Sequence, residues 1–144
     1  HTNLDTSGNP FTDQEPWHSG WLELMKYTDL VMLDIKQIDE QEHIKLTGHS
    51  NKNILAMAQE LSDMKKPVWI RHVLVPGGSD KDEYLHRLAD FIHTLSNVER
   101  VEVLPYHTLG KFKWENLGLS YPLEGVNPPT QERIDNARKI LGAI

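Results

Sequence analysis

The stretch DLVMLDIK, residues 29–36, joins a short apolar strand to two opposite charges at its end. Leu30 to Ile35 is apolar on both faces, which predicts a strand inside a parallel sheet, because such sheets are covered on both sides. Side chains alternate along a strand, so Asp34 and Lys36 share one face with Met32. The pair either marks a ligand-binding strand end or forms an ion pair that only closes the strand.

Strand-like and helix-like segments alternate along the whole chain. Strands are predicted at 2–6, 30–35, 68–75 and 100–104. Helices are predicted at about 16–26, 40–46, 52–64, 80–95 and 131–141. Asp39 is expected to cap the second helix, and Ser79 or Asp80 the fourth. A long irregular segment is predicted at 105–129. This order indicates an α/β fold with parallel strands and right-handed crossovers.

The sheet is predicted to be part of a barrel. An open doubly wound sheet normally has a Gly-rich phosphate turn after its first strand, and Asp5 to Gly8 is not such a turn. Four βα units are about half of the eight in a complete (β/α)₈ barrel. We therefore expect a single domain over residues 1–144 that forms a fragment of a TIM-like barrel, with helices covering the strands.

Composition excludes several classes of function. The net charge is −6, with 15 basic and 21 acidic residues. Lys and Arg do not cluster, which argues against nucleic acid or an anionic membrane as a partner. The absence of cysteine excludes thiolate metal sites and cysteine nucleophiles within these residues. A cytoplasmic location is the default expectation. Because a strand begins almost at residue 1, we expect the chain to be a piece of a longer protein.

Polar residues occur on or just beyond every predicted strand, at the end of three strands and within the apolar run of the third. Ligands bind at the carboxyl ends of parallel strands, so these side chains are expected to converge there. They comprise two carboxylates, a hydroxyl, an ammonium, a guanidinium and an imidazole, from Asp5, Thr6, Asp34, Lys36, Arg71 and His107. Such a set suits a small zwitterionic ligand, because Asp accepts from an amino group while Lys or Arg pairs with a carboxylate.

Each of these residues also has a simpler interpretation. Asp34 can pair with Lys36, Arg71 can serve as a structural ion-pair partner, Asp5 can belong to a turn, and His107 can be a polar loop residue. Two other functions also stay open. One is a metal- or phosphate-dependent barrel enzyme that uses Asp34, Lys36 and His107. The other is a module that docks a partner through residues 111–114.

Five stretches together resemble a known family: HTNLDTSG (1–8), TDLVMLDIKQ (28–37), VWIRHVLVPG (68–77), NVERVEVLPYHTLGKFKW (97–114) and LEGVNPPT (123–130). They resemble the pyruvate formate-lyase activating enzymes, which are glycyl-radical-enzyme activases of the radical S-adenosylmethionine (SAM) superfamily. The resemblance covers the whole chain, as the C-terminal half of those enzymes. It implies a partial (β/α)₆ barrel of the radical SAM type.

The resemblance also implies an activity for the parent protein. Such enzymes are oxidoreductases that use SAM and a [4Fe-4S] cluster to make a 5′-deoxyadenosyl radical. That radical generates a glycyl radical on pyruvate formate-lyase or a related enzyme, with an electron donor such as flavodoxin. The CxxxCxxC cluster motif is missing from these residues, so the chain alone is expected to be inactive.

Finally, the resemblance implies roles for individual residues. It assigns no catalytic side chain to this chain. The SAM-contacting residues that it implies are Asp34 and Lys36 at the methionyl end, Arg71 and His107 from the next two strands, and Val73 beside the adenine. The ligands that it implies for a monovalent cation are Asp5, Thr6, Met32 and Asp34, with Met32 acting through its carbonyl oxygen. Loss of preceding strands would expose an edge at residues 2–6 and favour dimerisation there.

Overall fold

Four parallel strands form the centre of the computed structural model, which describes residues 1–143. They are β1 (Asn3–Thr6), β2 (Leu30–Asp34), β3 (Val68–Leu74) and β4 (Val98–Pro105). The strands lie side by side in chain order, β1-β2-β3-β4. This confirms the predicted α/β fold with four parallel strands. Ile144, the last residue of the expected domain, lies outside the described residues.

Six helices follow or connect the strands within residues 1–143. They are α1 (Trp17–Lys26), α2 (Glu40–Thr47), α3 (Lys52–Asp63), α4 (Asp82–His93), α5 (Lys111–Asn116) and α6 (Gln131–Leu141). Asp39 caps α2 as predicted, because its carboxylate accepts from the backbone N–H groups of Gln41 and Glu42. Gly48 ends the same helix with a left-handed conformation. None of these helices is long and apolar enough to cross a membrane.

Only one face of the sheet is covered. Val31 and Leu33 of β2 are fully buried and belong with Ile70 of β3 to a single core that includes residues from four of the helices, α1, α3, α4 and α6. Met32 and Asp34 alternate with them and are half-buried on the opposite face. The prediction of strands buried on both faces was therefore wrong. Helices on one side only are the arrangement of a barrel wall, whereas a doubly wound sheet has helices on both faces.

Two local predictions were also wrong. Neither Ser79 nor Asp80 caps α4, whose N-cap is Lys81 and has no side-chain hydrogen bond. The Ser79 hydroxyl donates to the carbonyl of Val73, and Asp80 accepts from Gly77, so both side chains stabilise the preceding turn. The segment predicted as irregular contains the short helix α5.

Candidate functional site

An ionic network joins the carboxyl ends of β1 and β2 to the middle of β3 on the open face of the sheet. Arg71 Nε donates to Asp34 Oδ1 at 2.8 Å, and its two terminal nitrogens donate to Asp5, one of them at 3.0 Å. Lys36 Nζ donates to the other oxygen of Asp34 at 3.0 Å. The register makes these bonds possible, since Asp34 pairs with Arg71 and Asp5 pairs with Met32. Four of the predicted site residues are thus brought together.

Burial differs between the centre and the rim of this network. The side chains of Asp34 and Arg71 are each 16% exposed, whereas Asp5 is 56% exposed and Lys36 is 35% exposed. Burial alone would lower the pKa of Arg71, but its hydrogen bonds to Asp5 and the charge of Asp34 outweigh burial and raise that pKa. The guanidinium is therefore a fixed positive charge between two carboxylates.

The other two predicted cation ligands occupy different positions. Met32 lies on the open face with Asp34, and its sulfur is 3.9 Å from the side-chain nitrogen of Asn3. Thr6 pairs with Leu33, which belongs to the covered face, and its hydroxyl accepts from the N–H of Gly8. The Thr6 hydroxyl is therefore part of a turn. Within residues 1–143, no group of three or more His, Asp or Glu side chains is arranged to hold a metal ion.

The two remaining predicted residues are Val73 and His107. Val73 is half-buried on the same face of β3 as Arg71. His107 is an exposed residue just after β4, and among the described residues its ring does not join the ionic network. The chain beside His107 is ordered by a hydrogen bond of 2.7 Å between the hydroxyls of Tyr106 and Tyr121. That bond, followed by burial, raises the pKa of Tyr106 to about 12.

Sequence reasoning missed two pairs of contacts on the open face. Arg100 of β4 stacks over the ring of Trp69 at 4.8 Å and pairs with Glu102 at 3.0 Å. Glu102 is the register partner of Arg71. Alternation along 98–105 could have revealed the pair of Arg100 and Glu102, because these residues are two positions apart in an apolar strand.

A buried polar network behind the site was also missed. Gln37 is fully buried, and its amide nitrogen donates to the carbonyl of Gly78 at 2.8 Å. His72 is 2% exposed and contacts the carbonyls of Ile35 and Ser79. These side chains join the loop after β2 to the loop after β3. The only sequence signal was the presence of His and Gln in or beside apolar runs.

The chain is similar in sequence to pyruvate formate-lyase-activating enzymes of several bacteria. It is 55% identical over 141 residues to the enzyme of Streptococcus mutans, covering 98% of this chain and 54% of that protein. It is 55% identical to the enzyme of Staphylococcus epidermidis, covering 56% of it, and 53% identical to that of Staphylococcus aureus. The chain spans about half the length of these relatives. No protein-family model matches it.

Solved structures share the fold. A domain of pyruvate-formate lyase-activating enzyme from Bacteroides vulgatus matches with a TM-score of 0.76 and 21% identity, over 99% of this chain and 75% of that one. A radical SAM methyltransferase from Sphaerobacter thermophilus matches with a TM-score of 0.65 and 18% identity, over 97% of this chain and 37% of that one. The comparisons do not favour the metal- or phosphate-dependent barrel enzyme, nor the docking module.

Proposed function

We propose that the chain, which is 55% identical to pyruvate formate-lyase-activating enzymes over 98% of its length, forms the SAM-binding part of an enzyme that generates a glycyl radical on pyruvate formate-lyase. The activity is proposed for the whole protein, of which these residues supply one domain. The observation that carries the proposal is the ionic network of Asp5, Asp34, Lys36 and Arg71 at the strand ends. The network combines two acidic and two basic groups within one open face.

The chemistry of these groups fits the methionyl end of SAM, which carries an ammonium and a carboxylate. Asp34 is an acceptor for the ammonium, while Lys36 and Arg71 are donors for a carboxylate or hydroxyl. Val73 and His107 complete the proposed set of SAM contacts, with Val73 against the adenine. Val73 supports this role by its half-buried apolar position on the face that carries Arg71.

A monovalent cation is part of the proposal. Asp5 and Asp34 would bind it through their carboxylates, and Thr6 and Met32 through main-chain carbonyl oxygens. The main chain is the suitable donor because the Thr6 hydroxyl already accepts from Gly8, and a thioether is a poor ligand for a hard cation. A cation here would offset the repulsion between two carboxylates and a ligand carboxylate.

The [4Fe-4S] cluster does not fit the residues of this chain, which has no cysteine to ligate it. We assign its ligands to the remainder of the protein. Bound SAM would supply the 5′-deoxyadenosyl radical that removes hydrogen from the partner's glycine. The contribution of this chain is to bind and orient SAM. An electron donor such as flavodoxin, a related glycyl radical enzyme as the substrate, and a cytoplasmic location remain predictions.

The test replaces Lys36 in the full-length protein. Lys36→Met removes a partly buried donor of a charge-assisted hydrogen bond, so we expect SAM affinity to fall about tenfold or more. Equilibrium dialysis with SAM measures this, and electron paramagnetic resonance measures the glycyl radical formed on pyruvate formate-lyase. Lys45→Met is the matched control, because Lys45 makes a similar ion pair with Glu42 on α2, outside the site.

A second arm of this test uses the 144-residue chain alone. It is expected to form no glycyl radical, since it lacks thiolate ligands for a cluster. Radical formation by this chain alone would contradict the assignment of the cluster to the rest of the protein. Equal SAM affinity for the Lys36 and Lys45 variants would contradict the proposed site.

A further inference from the structure

A buried imidazole holds the backbone between the two charged residues at the end of β2. His72 follows Arg71 on β3 and points into the covered side of the sheet. Its Nδ1 is 2.8 Å from the carbonyl oxygen of Ile35, the residue between Asp34 and Lys36. The N–H of Ile35 donates to the carbonyl of Arg71 at 2.9 Å. Consecutive residues of β3 therefore bind both backbone polar groups of Ile35.

This contact lies where the regular pairing of the strands ends. The last registered pair between β2 and β3 is Asp34 with Arg71, so the peptide group that joins Ile35 to Lys36 is already beyond β2. Ile35 is fully buried, and a buried carbonyl needs a hydrogen-bond partner. The imidazole supplies that partner from a side chain.

The geometry and the surroundings assign the protonation state of the ring. Burial lowers the pKa of His72 and outweighs the contacts with the carbonyls of Ile35 and Ser79, which raise it, so the ring is neutral near pH 7 and has a single N–H. Nδ1 is 2.8 Å from the Ile35 carbonyl, whereas Nε2 is 3.3 Å from the carbonyl of Ser79. We assign the N–H to Nδ1, because its contact is the shorter of the two and has the length of a normal hydrogen bond.

We propose that His72 is a positioning residue for SAM binding: its Nδ1–H fixes the Ile35 carbonyl and thereby holds Asp34 and Lys36 in their places on the open face. The inference rests on the proposed function for the identity of the ligand. The holding contact itself depends only on the bonds between β2 and β3. His72 acts through the backbone and does not touch SAM.

The test compares three replacements of His72 in the full-length protein. The side-chain nitrogen of Asn is as many bonds from Cα as Nδ1, whereas that of Gln corresponds to Nε2. His72→Leu and His72→Gln are expected to weaken SAM binding about tenfold, the loss typical of one buried hydrogen bond. His72→Asn is expected to restore most of the affinity, because it can donate to Ile35. Equilibrium dialysis with SAM measures each affinity.

A second buried histidine provides the matched control. His43 on α2 is also 2% exposed, and its Nδ1 contacts a backbone carbonyl, that of His49, at 2.6 Å. His43→Leu therefore removes a similar contact outside the site, and it is expected to leave SAM affinity unchanged. If His43→Leu weakens binding as much as His72→Leu, the effect is general destabilisation and the proposal is wrong. Equal rescue by Asn and Gln would also overturn it.

Amide hydrogen exchange tests the role of His72 independently of SAM binding, and therefore independently of the proposed function. In the ligand-free protein, His72→Leu should speed exchange over residues 35–38, and His72→Asn should reverse the change. If the unaltered protein binds no SAM, the proposed function fails, while the exchange data still decide whether His72 holds this segment. Unchanged exchange in His72→Leu would show that it does not.

Discussion

The guanidinium of Arg71 stabilises the sheet through its ion pairs and is also a proposed contact of SAM. It binds Asp5 and Asp34 on two neighbouring strands, so the structural interpretation of this residue and the ligand-binding interpretation are compatible. A group that SAM would contact is already held in place by protein carboxylates. Such preorganisation reduces the loss of side-chain entropy when a ligand binds.

Removing Arg71 should therefore destabilise the fold. Arg71→Leu leaves the half-buried carboxylate of Asp34 with Lys36 as its remaining charged partner, and we expect the free energy of unfolding to fall by about 1–3 kcal/mol. Arg87→Leu is the control, because its ion pair with Asp39 is more exposed and should contribute less to stability. Urea unfolding of both variants measures the difference. Equal losses would mean that burial does not strengthen the Arg71 network.

At the scale of elements, the N-terminus of α4 lacks a side-chain cap. Lys81 has the extended backbone typical of an N-cap, and its carbonyl accepts from Leu85, but its side chain lies over the ring of Tyr84. The helix is formed without this local contribution because Leu85, Leu88 and the rest of its apolar face are buried in the core. Burial of its apolar face thus stabilises α4 in the absence of a side-chain cap.

Adding a cap at this position should stabilise the protein. Lys81→Asp places a carboxylate where it can accept from the first free N–H groups of α4, and we expect the variant to exceed Lys81→Ala by about 1 kcal/mol in free energy of unfolding. The alanine variant controls for the lost contact with Tyr84. Thermal and urea unfolding provide the comparison, and no gain over alanine would show that the α4 N-terminus needs no further acceptor.

Local signals explain which elements could be predicted from sequence. Asp39 and Gly48 act on their own helix, so α2 was predicted at nearly its full length. Ser79 was misassigned because its hydroxyl bonds with Val73 and Val75 across the preceding turn, and a serine in a turn has the same sequence signature as a serine that caps the next helix. The helix α5 was missed because six residues in an exposed segment give little periodicity.

Some features of the site could likewise be predicted from the sequence, and others could not. Alternation and the common direction of parallel strands predicted that Asp5, Asp34, Lys36 and Arg71 would converge, and the structure brings them together. The role of His72 could not be predicted, because it depends on which carbonyl lies across the sheet. Alternation also cannot tell which face the helices cover, so the open face was not foreseen.

At the scale of the whole molecule, the sheet has an uncovered edge at β1. Its residues are exposed or half-buried, and an unpaired edge can bind the edge of another molecule. We predict that the 144-residue chain self-associates with rising concentration. Asn3→Lys should reduce this association, because a charge on an edge strand opposes pairing.

Light scattering during size-exclusion chromatography tests this prediction. Gln59→Lys adds the same charge to an exposed position on α3 and should leave the association unchanged. A monomer at all concentrations, or equal effects of the two lysines, would exclude β1 as the contact.

The simple strand order has a consequence for biosynthesis. The strands β2, β3 and β4 each pair with the strand made just before them, so each of the three finds its first partner already synthesised. Contacts between neighbours in sequence form with a low entropic cost of closing the chain. The sheet can therefore grow strand by strand during translation, and His72 can bind the Ile35 carbonyl as soon as β3 has emerged.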